Sequence, residues 1–241
     1  MKRFSAMVLL LVLAACGGGG DNAPATTPTA TTAEGFWSGT ASTGRQVSVV
    51  VLDNGETWGV VATGGSIVGA LYGNTTYSGG TLSGSGREFN IPSRTVTSGT
   101  YTGTFTAKSV LNIATSGGVQ FPATYGTSYD QAASLAALAG NFSGSGTSRS
   151  SPVQTVSVSI TSAGTISVPG TSGCSASGTA VPRPGGKNVF NVSVTFSGSS
   201  CALGNGTLTT GIAYYDATTR QLLVMALNGS KSDGFIYLGT K

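Results

Sequence analysis

The chain of 241 residues contains no histidine, three cysteines and only 8% charged residues. Without histidine, a Ser-His-Asp triad and histidine-held metal centres are excluded. Neither Gly-x-Ser-x-Gly nor Ser-x-x-Lys occurs, and no Gly-x-Gly-x-x-Gly or Walker sequence opens a helix. Typical soluble domains carry about 25% charge, so serine, threonine, asparagine and glycine must cover this surface. The basic residues are scattered singly, whereas a nucleic-acid surface wants clustered Lys and Arg. Of the acids that a glycosidase-like pair would need, Asp53 and Asp216 fall in expected turns and Asp21 and Glu34 in or beside a tether, so solvated turn residues are the favoured reading, with Glu56 and Glu88 the least explained. The expectation is a non-enzymatic protein without cofactor, metal or nucleic-acid partner.

Long hydrophobic runs are also missing. The only extended one, Phe4 to Val12, follows Lys2 and Arg3 and is too short to span a bilayer, which takes about 20 apolar residues. With small residues after it, residues 1–15 read as a secretory signal peptide. The sequence Leu13-Ala14-Ala15-Cys16, followed by Gly17 to Gly20, resembles the lipobox of bacterial lipoproteins. That resemblance implies cleavage before Cys16, acylation of its thiol with palmitate-type chains, and a membrane partner reached through lipid. Two or more acyl chains anchor stably where one is marginal, at about 0.8 kcal/mol per buried methylene. Gly17 is not the Asp that favours retention in the inner membrane of such lipoproteins, so the expected address is the outer membrane, on its periplasmic or its surface face.

Residues 16–33 are rich in glycine, proline and threonine, have nothing to bury, and are expected to form a disordered tether. Two cysteines remain after Cys16, and Cys174 and Cys201 can form one intramolecular disulfide, as suits an oxidising compartment. Two buried thiols are the alternative. No Cys-x-x-Cys motif points to a redox pair.

From Glu34 onward the pattern has period two. Val47, Val49 and Val51, then Val156, Val158 and Ile160, then Phe190, Val192, Val194 and Phe196 mark one face of successive strands. Thr100, Thr102, Thr104 and Thr106 alternate with Tyr101, Gly103 and Phe105, which predicts a threonine face and an aromatic face. Asn54-Gly55 is a hairpin signal, because both residues tolerate positive φ. Sequential hairpins without helical periodicity predict an all-β fold of antiparallel up-and-down meanders. An open edge invites aggregation, so closure into barrels is preferred.

The chain also repeats itself. Gly35-Phe36-Trp37-Ser38-Gly39-Thr40 recurs as Gly140-Asn141-Phe142-Ser143-Gly144-Ser145, and Val49-x-Val51-x-x-x-Gly55 recurs as Val158-x-Ile160-x-x-x-Gly164. An internal duplication then gives a first domain at 34–128, a short helical connector at 129–139, and a second domain at 140–241. Each half has room for the strands of a small barrel. The Gly-x-Trp and Gly-x-Phe openings resemble the first strand of lipocalin-like and avidin-like barrels. The halves are similar in architecture and address to the eight-stranded barrels of surface lipoproteins such as transferrin-binding protein B and factor H binding protein. No functional residue carries over from that likeness.

In the connector, Leu135 and Leu138 are expected to face the protein from a helix of two or three turns. Trp37, Trp58, Tyr72, Tyr77, Tyr101, Tyr125, Tyr129, Tyr214, Tyr215 and Tyr237 could line a barrel pocket or a sugar-binding face, with Trp37, Trp58, Tyr214 and Tyr215 the leading candidate ligand contacts, each weighed against plain packing. Tyr214 and Tyr215 are adjacent, so one of them is expected to be exposed. The leading expectation is a monomeric, outer-membrane-anchored binding module for a protein or glycan partner. A small-ligand carrier using a barrel interior, or a structural envelope lipoprotein, are the alternatives.

Overall fold

The computed structural model describes residues 32–171 and 173–241. The expected signal peptide, Cys16 and all but the end of the tether lie outside the described residues. The first eight strands are β1 (Gly35–Thr40), β2 (Gln46–Val51), β3 (Glu56–Thr63), β4 (Ser66–Ser78), β5 (Thr81–Asn90), β6 (Thr95–Thr106), β7 (Val110–Thr115) and β8 (Gln120–Tyr125). The next eight are β9 (Gly140–Ser148), β10 (Ser151–Ile160), β11 (Thr165–Thr171), β12 (Cys174–Pro182), β13 (Val189–Ser197), β14 (Leu208–Asp216), β15 (Gln221–Asn228) and β16 (Gly234–Thr240).

Every neighbouring pair is antiparallel, and each set of eight closes on itself: β1 pairs with β8, and β9 with β16. Two small up-and-down barrels are therefore present, as the period-two pattern and the repeat predict. Closure leaves few ladder groups open to a foreign strand.

Equivalent glycines show how far the duplication extends. Gly55 and Gly164 both sit at φ near +80°, where only glycine is unstrained. The carbonyl of each accepts from a residue on the next strand but one, Thr75 N or Ala180 N, at 2.7 Å. Trp37 and Phe142, one per half, are both fully buried at the start of their barrels.

The connector is more compact than expected. A 3₁₀ turn, Thr127–Asp130, is followed by a single α-helical turn, α1 (Leu135–Leu138), capped by the Ser134 hydroxyl. Alanine propensity alone does not sustain two or three turns, because short helices depend on tertiary packing. Leu138 is buried in the second barrel, and Leu135 packs against the same cluster. Lys241 Nζ donates to the carbonyl of Ala139 at 2.8 Å and lies 4.6 Å from the Tyr215 ring, closing this end. Ala33, the last residue of the expected tether, is buried in the first barrel and accepts the Trp37 indole N–H at 2.9 Å.

The two barrels pack wall to wall. Val50, Trp58, Val60, Tyr72 and Phe89 on the outside of the first barrel meet Ile212, Tyr214, Leu223, Met225 and Ile236 on the outside of the second in one continuous core. Phe36 stacks on Tyr214 with ring centroids 4.3 Å apart. Polar contacts rim this core: Arg183 pairs with Asp53 at 3.0 Å, and Asp130 holds Lys108 at 2.9 Å and Lys187 at 2.7 Å. Burial raises the Asp130 pKa, but the hydrogen bonds from Lys187 and Lys108 outweigh it and hold the carboxyl below its ordinary range. The disulfide Cys174–Cys201 forms and ties the start of β12 to the long β13–β14 loop.

Candidate functional site: the interior of the first barrel

The two interiors differ. In the second barrel, Phe142, Val158, Ile160, Phe190, Val192, Val194 and Tyr237 pack the lumen, and a void bordered by Val158, Ile160, Val192, Val194 and Phe235 holds about 10 Å³. In the first barrel an open-mouthed cavity of about 430 Å³ runs inward from one end. That size falls within the range of small-molecule sites, which are typically concave, mostly apolar and furnished with a few polar groups.

Strand direction decides which end is open. Trp37 begins β1, while Tyr77, Phe105 and Tyr125 end β4, β6 and β8, so these aromatics gather at one barrel end. Trp37 and Tyr125 pack edge to face at 5.1 Å, and Tyr77 and Phe105 at 6.1 Å. None of the four lines the cavity; they close its floor. At the opposite end, Thr43, Arg45, Glu88, Thr97 and Ser116 form the mouth. Arg45 and Glu88 face each other there at 3.7 Å, each about two-fifths exposed. Such a half-exposed pair contributes little to stability.

The cavity exists because of glycine. On β5 and β6 the inward positions include Gly84, Gly86, Gly99 and Gly103, interleaved with Leu82, Glu88, Tyr101 and Phe105. Tyr101 does not cross the lumen. Its ring lies flat on the wall over Gly84, where any Cβ would overlap it. From there its hydroxyl reaches Thr75 Oγ1 at 2.7 Å, and Thr75 Oγ1 reaches Thr57 Oγ1 at 2.6 Å. The inner wall is largely apolar, with Val47, Val49, Val61, Leu71, Leu111 and Ile113, while Arg87, Ser98, Thr100 and Thr115 also line the cavity.

The four leading candidate contact residues lie elsewhere. Trp37 is sealed in the floor, and Trp58 and Tyr214 lie in the wall-to-wall core. Tyr215 is inside the second barrel, edge to face with Phe142. Neither tyrosine of the adjacent pair is exposed, contrary to expectation, because the outward face of β14 is covered by the first barrel. Sequence reasoning missed Arg45, Thr57 and Thr75, which carried no signal, whereas Tyr101, one of the aromatic residues expected to be able to line a barrel pocket, does line the cavity. A second concavity of about 500 Å³ lies between the barrels, with Trp58, Val181, Arg183, Asn191 and Lys231 in its walls. Trp58 Nε1 is buried there without a hydrogen-bond partner. Among the described residues, no group of His, Cys, Asp or Glu is arranged to hold a metal ion.

Compared with protein-family models, with curated proteins and with solved structures, the chain matches none.

Proposed function

We propose that the chain is an exported, non-enzymatic lipoprotein, anchored in the outer membrane through acylated Cys16, whose first barrel binds a small and largely apolar ligand. The lipobox-like Leu13-Ala14-Ala15-Cys16 supports the anchor. One observation carries the binding reading: of two barrels built on the same repeat, one is solid and the other holds an open-mouthed cavity of about 430 Å³. Cavities of that size cost stability, and a duplicated fold that fills one copy had the means to fill the other.

The test uses the full chain with Cys16→Ser, which lacks the acylation site, and the neutral dye N-phenyl-1-naphthylamine, whose fluorescence rises in apolar surroundings. Dye binding at one site, abolished by Gly99→Leu without loss of folded structure, is the expected result. Equal binding by both proteins would overturn the assignment. Labelling with radioactive palmitate checks the anchor: incorporation is expected in the parent chain and absent from Cys16→Ser.

The groove between the barrels supports a second reading, a protein or glycan partner, because Val181 stands 56% exposed beside Arg183 and Asn191. Val181→Asp should then weaken cell-surface binding without touching dye affinity.

A further inference from the structure

The hydroxyl chain on the cavity wall has more contacts than hydrogens. Thr57 Oγ1 lies 3.0 Å from the Gly55 carbonyl and 2.6 Å from Thr75 Oγ1. Thr75 Oγ1 lies 2.7 Å from the Tyr101 hydroxyl, which lies 3.1 Å from the Asn74 carbonyl. These four contacts link three hydroxyls and two carbonyls, and each hydroxyl has one hydrogen and two lone pairs. Carbonyls only accept. Thr57 therefore donates to Gly55 and Tyr101 to Asn74, and Thr75 gives its one hydrogen either to Thr57 or to Tyr101. Every hydrogen is used inside the chain, one contact is left without a hydrogen, and spare lone pairs remain at the Thr75–Tyr101 end. Toward the lumen, this end of the chain can only accept.

The same architecture does not require these hydroxyls. Matching Gly55 with Gly164, and the carbonyl contact of each, places Ile166 of the second barrel where the first has Thr57, and Ala180 where it has Thr75. Across the ladder, Thr75 pairs with Gly84, which pairs with Tyr101, whereas Ala180 pairs with Val192, which pairs with Gly211. Three hydroxyl-bearing residues thus stand where the solid barrel has Ile, Ala and Gly.

We infer that the ligand of the first barrel carries a neutral hydrogen-bond donor, an alcohol or phenol hydroxyl, and places it on the Thr75–Tyr101 oxygens. A charged donor such as an ammonium is disfavoured, because these oxygens contact only hydroxyls and carbonyls, and the one carboxylate lining the cavity, Glu88, stands at the mouth. An ether, ester or ketone presents acceptors only, and sets lone pair against lone pair. The rest of the ligand lies against Val49, Val61, Leu82 and Leu111, with its outer end toward Arg45 and Glu88. This inference rests on the binding reading above.

The experiment is displacement of N-phenyl-1-naphthylamine from the full chain carrying Cys16→Ser by 1-undecanol and by decyl methyl ether, which have equal numbers of heavy atoms. Leaving a buried acceptor unpaired costs about 1 to 3 kcal/mol, so the alcohol should bind roughly tenfold more tightly or better. In the double variant Thr75→Val/Tyr101→Phe the dye should still bind and the alcohol-to-ether ratio should fall to about one. Dye binding with equal affinities for alcohol and ether would overturn the donor inference alone. So would a preference for the ether, or a ratio that survives in the double variant. Failure of the dye to bind the parent protein at all would overturn the cavity reading itself.

Discussion

The two barrels share a repeat and a strand order, and they part company at a few inward positions of the fifth and sixth strands. Where the first barrel has Gly84 and Gly86, the ladder positions of the second hold Val192 and Val194. Glu88 faces Leu71 in the first barrel, whereas Phe196 faces Ala176 in the second. The first barrel also gains bulk, with Leu71 where the second has Ala176 and Tyr101 where it has Gly211, but Tyr101 lies along the wall. A lumen is therefore opened by a handful of side-chain exchanges, with no change in strand number or connectivity. Volume inside a small barrel is set by its inward residues, and two copies in one chain display both outcomes.

The comparison can be broken most severely at the wall the barrels share. Met225→Asp would bury an unpaired carboxylate among Trp58, Tyr72 and Ile212. Such burial is expected to cost about 4 kcal/mol or more, seen as a large fall in the denaturant midpoint; a fall under about 1 kcal/mol would show that the two walls do not pack in solution.

Next come matched deletions inside the two barrels. Phe190→Ala in the solid barrel should cost about 3 to 5 kcal/mol, because it leaves a new cavity. Leu71→Ala in the hollow one removes a half-buried side chain that already borders open space, and about 1 to 2 kcal/mol is expected. Equal losses in urea melts would mean that the first barrel is not hollow.

Reduction of Cys174–Cys201 removes a cross-link spanning 27 residues and should cost about 3 to 4 kcal/mol in the chain-entropy model. Since the bridge lies wholly in the second half, hydrogen exchange should quicken first in β12, β13 and the loop after β13. Simultaneous loss of protection in both barrels would show that the shared core makes them one cooperative unit.

Gly99→Leu sharpens the comparison from the other side. At Gly99 an added Cβ meets only the Ser116 side chain, so filling the lumen from β6 should leave stability within about 1 kcal/mol of the parent while abolishing dye binding.

The smallest effect is alkaline. Burial pushes the hydroxyls of Tyr214 and Tyr237 up to about 12; at Tyr214 the Ser128 hydrogen bond opposes the shift and Asp216 adds to it. A raised folded pKa favours the neutral form in the native state, so this stability is present below pH 10 and is lost as pH climbs from 10 toward 12. Tyr237→Phe should flatten that loss in pH-dependent melts, and an unchanged slope would refute the assignment to this residue.

How legible was all this beforehand? The all-β meander, the aromatic face of β6, the hairpin at Asn54-Gly55 and the equivalence of Gly55 with Gly164 are local facts. They follow from side-chain period and backbone permissiveness, which act over a few residues. The cavity does not. Gly84 and Gly86 read as ordinary small residues in a glycine-rich chain until the register sets them beside Tyr101 and Gly73. Trp58 and Tyr214 looked like sites because large aromatics suit exposed binding faces, yet they are consumed where one barrel wall covers the other.

By itself, then, the sequence determined strand period, turn positions, the repeat and the cysteines available for pairing, because each is written in neighbouring residues. Tertiary structure alone decided that one copy is hollow, that the outer walls meet, and that Thr57, Thr75 and Tyr101 join into one chain of hydroxyls. Those outcomes depend on which side chains from distant strands share a lumen or a wall, and only ladder register and barrel closure bring them together.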